Sequence, residues 1–342
     1  MSTIPKSMHA SVLTPELEVR VVECSTPTPA TDEVLIRVGS VGVCGSDVHF
    51  YREGRLGDFV VEKPMVLGHE AGGTIVAVGS GVDASRVGQR VSIEPQRPDL
   101  TSSESLAGRY NLDPSMEFYA TPPIDGAFAE YVTIQSHFAH TVPDTVSDDA
   151  AGLMEPLSVG IATARKAGIT VGQRVLISGC GPIGLVLAQV SRAYGASEII
   201  MTDLDQSRRH TALQFGATAV CDPRTEDVTG LGVDVFLEAS GAASAVQAGI
   251  RALRPAGTAV LVGMGASEVL VPLPVIQNRE LTVTGIFRYA NTWPTAIGMV
   301  VRGLIDLDGL VTGHFGLEQV REALESTVLP GALKSMVVPA QK

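Results

Sequence analysis

Cys44, His69, Glu70 and Glu155 are of types that hold metals or move protons, and they fall in three short motifs. Cys44 lies in Gly42-Val43-Cys44-Gly45-Ser46-Asp47-Val48-His49, His69 and Glu70 in Gly68-His69-Glu70, and Glu155 in Met154-Glu155-Pro156. Thiolate, imidazole and carboxylate are all competent zinc ligands, and a catalytic zinc keeps one position open for water or substrate. The spacing is not that of a zinc finger. Taken singly, each residue also reads as a buried thiol, a hydrogen-bonded core histidine or a solvated turn carboxylate.

A second chemistry-bearing stretch is Gly179-Cys180-Gly181-Pro182-Ile183-Gly184, which fits G-x-G-x-x-G. It follows an apolar run, Arg174 to Ser178, and opens a segment of helical spacing, Pro182 to Tyr194. Gly179 permits a tight turn, Gly181 lets a pyrophosphate approach the backbone, and Gly184 lets helix and strand pack closely. The phosphates would meet the free N–H groups of the helix N-terminus. The next apolar run ends at Asp203, whose carboxylate suits the two ribose hydroxyls of NAD and repels the 2′-phosphate of NADP. Arg208 and Arg209, close behind, are the features that would favour NADP.

These motifs need elements to position them. The chain has 342 residues, which suits two domains, and 45% of them are hydrophobic. Up to about residue 155 the apolar runs are short and strand-like (Leu17 to Val22, Val34 to Val38, Gly73 to Val78, Arg90 to Ile93), divided by Gly, Pro and Asp. From 156 to 288 strands alternate with helices. Strands are expected at Arg174–Ser178, Glu198–Asp203, Val233–Ala239, Thr258–Met264 and Leu281–Phe287, with Ala219–Asp222 a weak candidate. Helices are expected at Pro182–Tyr194, Gln206–Phe215 and Ala243–Leu253. Such alternation implies a doubly wound parallel sheet covered on both faces. The tail carries two helical stretches, Thr295–Arg302 and Leu317–Glu325, and a strand, Lys334–Pro339, expected to return to the first domain. The domains are therefore 1–155 completed by 289–342, and 156–288.

Composition excludes some functions. Thirty-seven acidic against 25 basic residues give a net charge of −12, which argues against nucleic acid or an anionic membrane as partner. Met1–Ala10 has no apolar core of signal-peptide length, and no long apolar run marks a membrane span. The four cysteines are too few and too scattered for a disulfide framework. A cytoplasmic protein is the expectation.

At the metal and glycine motifs the sequence resembles the zinc-containing medium-chain dehydrogenases, in particular their sorbitol (polyol) dehydrogenase subgroup. Gly68-His69-Glu70 followed by Gly72 and Gly73 is similar to the family's metal signature, Gly42 to His49 to its cysteine loop, and Leu157 after Glu155-Pro156 also matches. Subgroup markers are Met116 to Pro123, containing Phe118, and Phe287 to Pro294. The resemblance implies an α/β protein made of a GroES-like β-rich catalytic domain and a Rossmann domain. It implies one catalytic zinc on Cys44, His69 and Glu70, with Glu155 binding it directly or through water. Ser46 and His49 match proton-relay positions, with Glu155 as the nearer acid–base group. Ser46, Tyr51, Phe118, Glu155, Arg288 and Tyr289 match substrate positions. Beside the glycine motif, Pro182, Ile183, Asp203, Arg208, Val262, Gly263, Met264, Ile286, Phe287 and Arg288 match NAD positions. The activity implied is hydride transfer from a secondary hydroxyl of a polyol to NAD, in a homo-oligomer with a tetramer favoured. Alternatives on the same fold are a zinc dehydrogenase of a vicinal diol or hydroxy amino acid, and a metal-free NADPH quinone or enone reductase.

One departure stands out. The four cysteines that carry a second, structural zinc in many relatives are replaced in register by Asp99, Ser102, Ser105 and Asp113. Neutral serine is a poor zinc ligand, so no structural zinc is expected.

Overall fold

The structure is a computed structural model and describes residues 4–340; the first three residues of the segment Met1–Ala10 lie outside it. The chain forms two compact units. One runs to Glu155 and resumes at Leu307, and the other is Pro156–Asp306.

The first unit is built on a seven-stranded sheet in the order Ala139–Thr141, Arg90–Ile93, Glu70–Val78, Glu33–Gly42, Lys334–Val337 and Val311–Phe315, with Tyr131–Gln135 also pairing on Glu33–Gly42. Glu33–Gly42 is buried along most of its length because strands, helices and loops cover both its faces. The C-terminal strand enters the sheet antiparallel, with Met336 opposite Gly42. That pairing carries Lys334 into the interior. A smaller sheet pairs Ser7–Leu13 with Val19–Ser25. The expected strand Leu17 to Val22 starts two residues late, since Leu17 takes a left-handed turn (φ 64°) that reverses the chain.

The second unit holds a six-stranded sheet in the order Ala219–Cys221, Glu198–Thr202, Arg174–Ser178, Val233–Glu238, Leu253–Leu261 and Thr282–Gly285. All five pairings are parallel, and the inner strands Arg174–Ser178, Glu198–Thr202 and Val233–Glu238 are largely buried. Strand order reverses at Arg174–Ser178, the place where open α/β sheets bind ligands beyond their carboxyl ends. The weak candidate Ala219–Asp222 is a true edge strand.

The second unit extends beyond residue 288, the boundary expected from the sequence. Residues 289–306 pack with it: Arg165 bonds the Asn291 carbonyl and Thr295, and the Gln189 amide spans both backbone polar groups of Asp306. Helices Gly45–Glu53, Met154–Ala167 and Leu273–Asn278 were not anticipated.

Candidate active site

The metal motifs meet in the first unit because a buried carboxylate ties two loops together. Cys44 is the N-cap of helix Gly45–Glu53, and its N–H donates to Asp47 Oδ2 at 2.9 Å. Asp47 is fully buried, and its other oxygen accepts from Gly68 N at 3.0 Å and lies 3.9 Å from His69 Nδ1. Gly68 sits at φ 86°, and a Cβ there would press on the Phe128 ring at 2.6 Å. The sharp turn that presents His69 therefore requires glycine.

Glu70 begins strand Glu70–Val78 directly opposite Gly42. A Cβ at Gly42 would fall 2.1 Å from Glu70 Oε2, so glycine makes room for the carboxylate. The outcome is that the donor atoms of Cys44, His69 and Glu70 all lie within 4.8 Å of one another, the one such group among the described residues. Burial pulls the His69 imidazole pKa down, but Cys44, Asp47 and Glu155 outweigh it and push it up to about 10.

Glu155 is buried in the first turn of helix Met154–Ala167 and adds its negative charge to His69 and Lys334, but it is outside the three-donor group. Phe118 packs its ring 5.4 Å from that of His69, so one expected substrate residue does stand at the donors. Tyr51 donates to Glu325 Oε1 at 2.7 Å. His49, with Nδ1 3.3 Å from Glu53, and Ser46 are both half-buried on the same helix.

The sequence reading missed Lys334. Its ammonium is buried, lies 2.5 Å from both oxygens of Glu70 and donates to the Val43 carbonyl at 2.8 Å. The available signal was a lone lysine at the head of an otherwise apolar strand, Lys334-Ser335-Met336-Val337-Val338.

In the second unit every expected cofactor residue follows a strand of one parallel sheet. Gly179 turns at φ 97° and donates to Thr202 O at 2.8 Å. Gly181 caps helix Pro182–Ala193, with Pro182 at its first position and Ile183 next. A Cβ on Gly181 would meet nothing within 4 Å, whereas one on Gly184 would strike Gly179 O at 1.9 Å. Gly181 thus leaves open space at a helix N-terminus, a cradle fit for a pyrophosphate. Asp203 accepts from Cys180 N at 2.8 Å and Asp205 N at 2.9 Å, which fixes its carboxylate at the strand end. Arg208 lies in the first turn of the following helix, its N–H on Asp205. Val262 and Gly263 both donate to Glu238 O, Met264 is exposed, and Ile286 donates to Leu261 O ahead of Phe287. Arg288 adopts φ 55°, with its guanidinium 4.7 Å from the Phe287 ring centre. Tyr289 is fully buried, edge-on to Trp293.

The lobe positions lacking cysteine bond among themselves. Asp113 accepts from Asp99 N at 2.7 Å, and Ser102 Oγ donates to Ser105 Oγ at 3.0 Å. Glu94, also buried, holds Tyr110 and His140.

A parallel dinucleotide-type sheet and a β unit bearing a thiol–imidazole–carboxylate cluster define a metal- and nucleotide-dependent dehydrogenase. Residues 30–144 match the model of the alcohol dehydrogenase GroES-like domain, and residues 182–302 that of the zinc-binding dehydrogenase. Sorbitol dehydrogenase of Bos taurus is 43% identical over 94% of this chain and 93% of its own length. The Bacillus subtilis enzyme of that name is 40% identical over 98% and 99%. A zinc-binding dehydrogenase from Sinorhizobium meliloti, solved bound to NADP, superposes with a TM-score of 0.91 at 30% identity, covering 98% of this chain and 100% of that one. The chain belongs to the zinc-containing medium-chain dehydrogenases, in their sorbitol dehydrogenase subgroup. Among the described residues no helix is long and apolar enough to cross a membrane.

Proposed function

We propose that this enzyme oxidises a secondary hydroxyl of a polyol to a ketone with NAD as acceptor, using one zinc ion held by Cys44, His69 and Glu70. The observation that carries this reading is the convergence of one thiol, one imidazole and one carboxylate within 4.8 Å. Cys44, His69 and Glu70 would hold the ion, and a set of three protein donors is that of catalytic rather than structural zinc sites. When bound, zinc supplies a Lewis acid that lowers the pKa of a hydroxyl, and NAD supplies the hydride acceptor.

The chain's residues do the rest. Asp47 fixes the Cys44 loop and the His69 turn in one register. Lys334 holds the Glu70 carboxylate in place. Phe118 gives the donors an apolar wall that excludes water. Glu155, whose charge acts on His69, is assigned as acid–base group, with Ser46 and His49 as the other outward route for the proton. Gly181 and the Asp203 carboxylate suit the pyrophosphate and the adenosine ribose. In the lobe, the hydrogen bonds of Asp99, Ser102, Ser105 and Asp113 support a fold held without structural zinc.

Metal content of protein purified without chelator, with NAD reduction across a panel of polyols, tests the reading. About one zinc per chain and chelator-sensitive activity on a polyol are expected. Two zincs per chain would overturn the lobe assignment. Activity that survives complete metal removal would overturn the zinc mechanism and favour the reductase alternative. Sedimentation reads the expected homotetramer.

A further inference from the structure

Beneath the carboxylate assigned to the adenosine ribose lies a charge cluster with no part in the functions above. Arg209 donates from Nη1 to the Asp203 carbonyl at 2.6 Å, so its guanidinium stands against the backbone of the very residue that would contact the ribose. Its Nη2 lies 3.2 Å from Asp222 Oδ2, with both side chains largely buried. Asp222 also takes Arg224 through Nε at 2.9 Å and Nη2 at 2.6 Å, and Arg224 reaches on to the Leu204 carbonyl at 2.8 Å. Arg224 first, and Arg209 after it, hold the Asp222 carboxyl well below the usual carboxylate range.

A guanidinium beside Asp203 is the group that a 2′-phosphate would seek. Asp222 pairs with that guanidinium, while also holding Arg224, and so fixes it in place. We infer that Asp222 is a specificity-determining residue, which sets the preference for NAD over NADP by keeping Arg209 from a 2′-phosphate. This rests on the dinucleotide reading proposed above.

The test is calorimetric titration with NADH and with NADPH of wild type, Asp222→Asn, Arg209→Gln and the double variant. Asp222→Asn is expected to shift the NADPH-to-NADH Kd ratio by about tenfold toward NADPH at low salt, the scale of one uncompensated charge near a phosphate dianion. The shift should shrink at high ionic strength. In the Arg209→Gln background the same substitution should shift the ratio less than about a third as far. A ratio unchanged within about twofold in Asp222→Asn, or a shift of equal size in both backgrounds, overturns the inference. NADH affinity near the wild-type value shows that the variant is folded, and Asp222→Ser serves as the second variant with the same expectation. Wild type binding neither nucleotide overturns the proposed function itself, whereas wild type binding NADH with an unresponsive ratio overturns only the role of Asp222.

Discussion

Replacing Lys334 by methionine is the most searching perturbation of the metal centre. Methionine keeps most of the side-chain volume and removes the charge. The ammonium neutralises the Glu70 carboxylate, 1% exposed, and satisfies the Val43 carbonyl. Leaving one partner of a buried ion pair uncompensated costs about 3–5 kcal/mol. Burial lowers the lysine pKa, but Glu70 and then Cys44 outweigh it, so the folded-state pKa is raised. A raised lysine pKa gives stability fully present below its unfolded value and lost only as pH rises through the folded one, so at pH 7 the whole contribution is present. Zinc would supply a second cation to Glu70, which makes the penalty state-dependent. In chelated protein Lys334→Met should lower unfolding free energy by about 3–5 kcal/mol, and in zinc-loaded protein by roughly half that. Denaturant unfolding of both states, wild type and variant, reads the difference. A loss below about 1 kcal/mol in chelated protein, or one of equal size in the two states, would refute the idea that the pair is buried, coupled and shared with the metal site.

The two inner glycines of the dinucleotide turn should separate cleanly. Gly181→Ala, whose Cβ meets nothing, should fold with wild-type stability yet bind NADH about tenfold or more weakly, while Gly184→Ala, aimed at a backbone oxygen 1.9 Å away, should lose about 3 kcal/mol or more of stability; thermal unfolding and nucleotide titration distinguish them. Gly42→Ala should push Glu70 off its donors and drop metal content well below one per chain with NADH binding intact, as read by elemental analysis and titration. Burial, then the nearby Asp203, pushes the Cys180 thiol up to about 12, so at pH 8 it is almost wholly protonated. Burial also raises the Cys24 and Cys221 thiols, but both are partly exposed, so iodoacetamide should alkylate them before the buried Cys180; peptide mass mapping showing early modification of Cys180 would contradict its burial.

The sequence by itself determined whatever depends on short-range chain geometry. The turn at Gly179 to Gly184 was legible because its requirements, a positive φ and absent Cβ atoms, are met within six residues. The parallel sheet was legible because strands covered on both faces must be apolar throughout. The donor triad was legible in its residue types and in a family resemblance, but its convergence was not, since the buried Asp47 that ties the Cys44 and His69 loops together finds its partners only in the folded chain. Tertiary structure alone decided the rest. Lys334 reaches Glu70 across 264 positions because the last strand pairs with Glu33–Gly42. Tyr51 meets Glu325 across 274 positions for a similar reason, as helix Val320–Ser326 lies near helix Gly45–Glu53. The boundary at 306 rather than 288 follows from hydrogen bonds of Arg165 and Gln189 to distant backbone. Local pattern states what a segment prefers to be, while a buried charge finds its partner only once the sheet has closed, because only then does desolvation make that partner necessary.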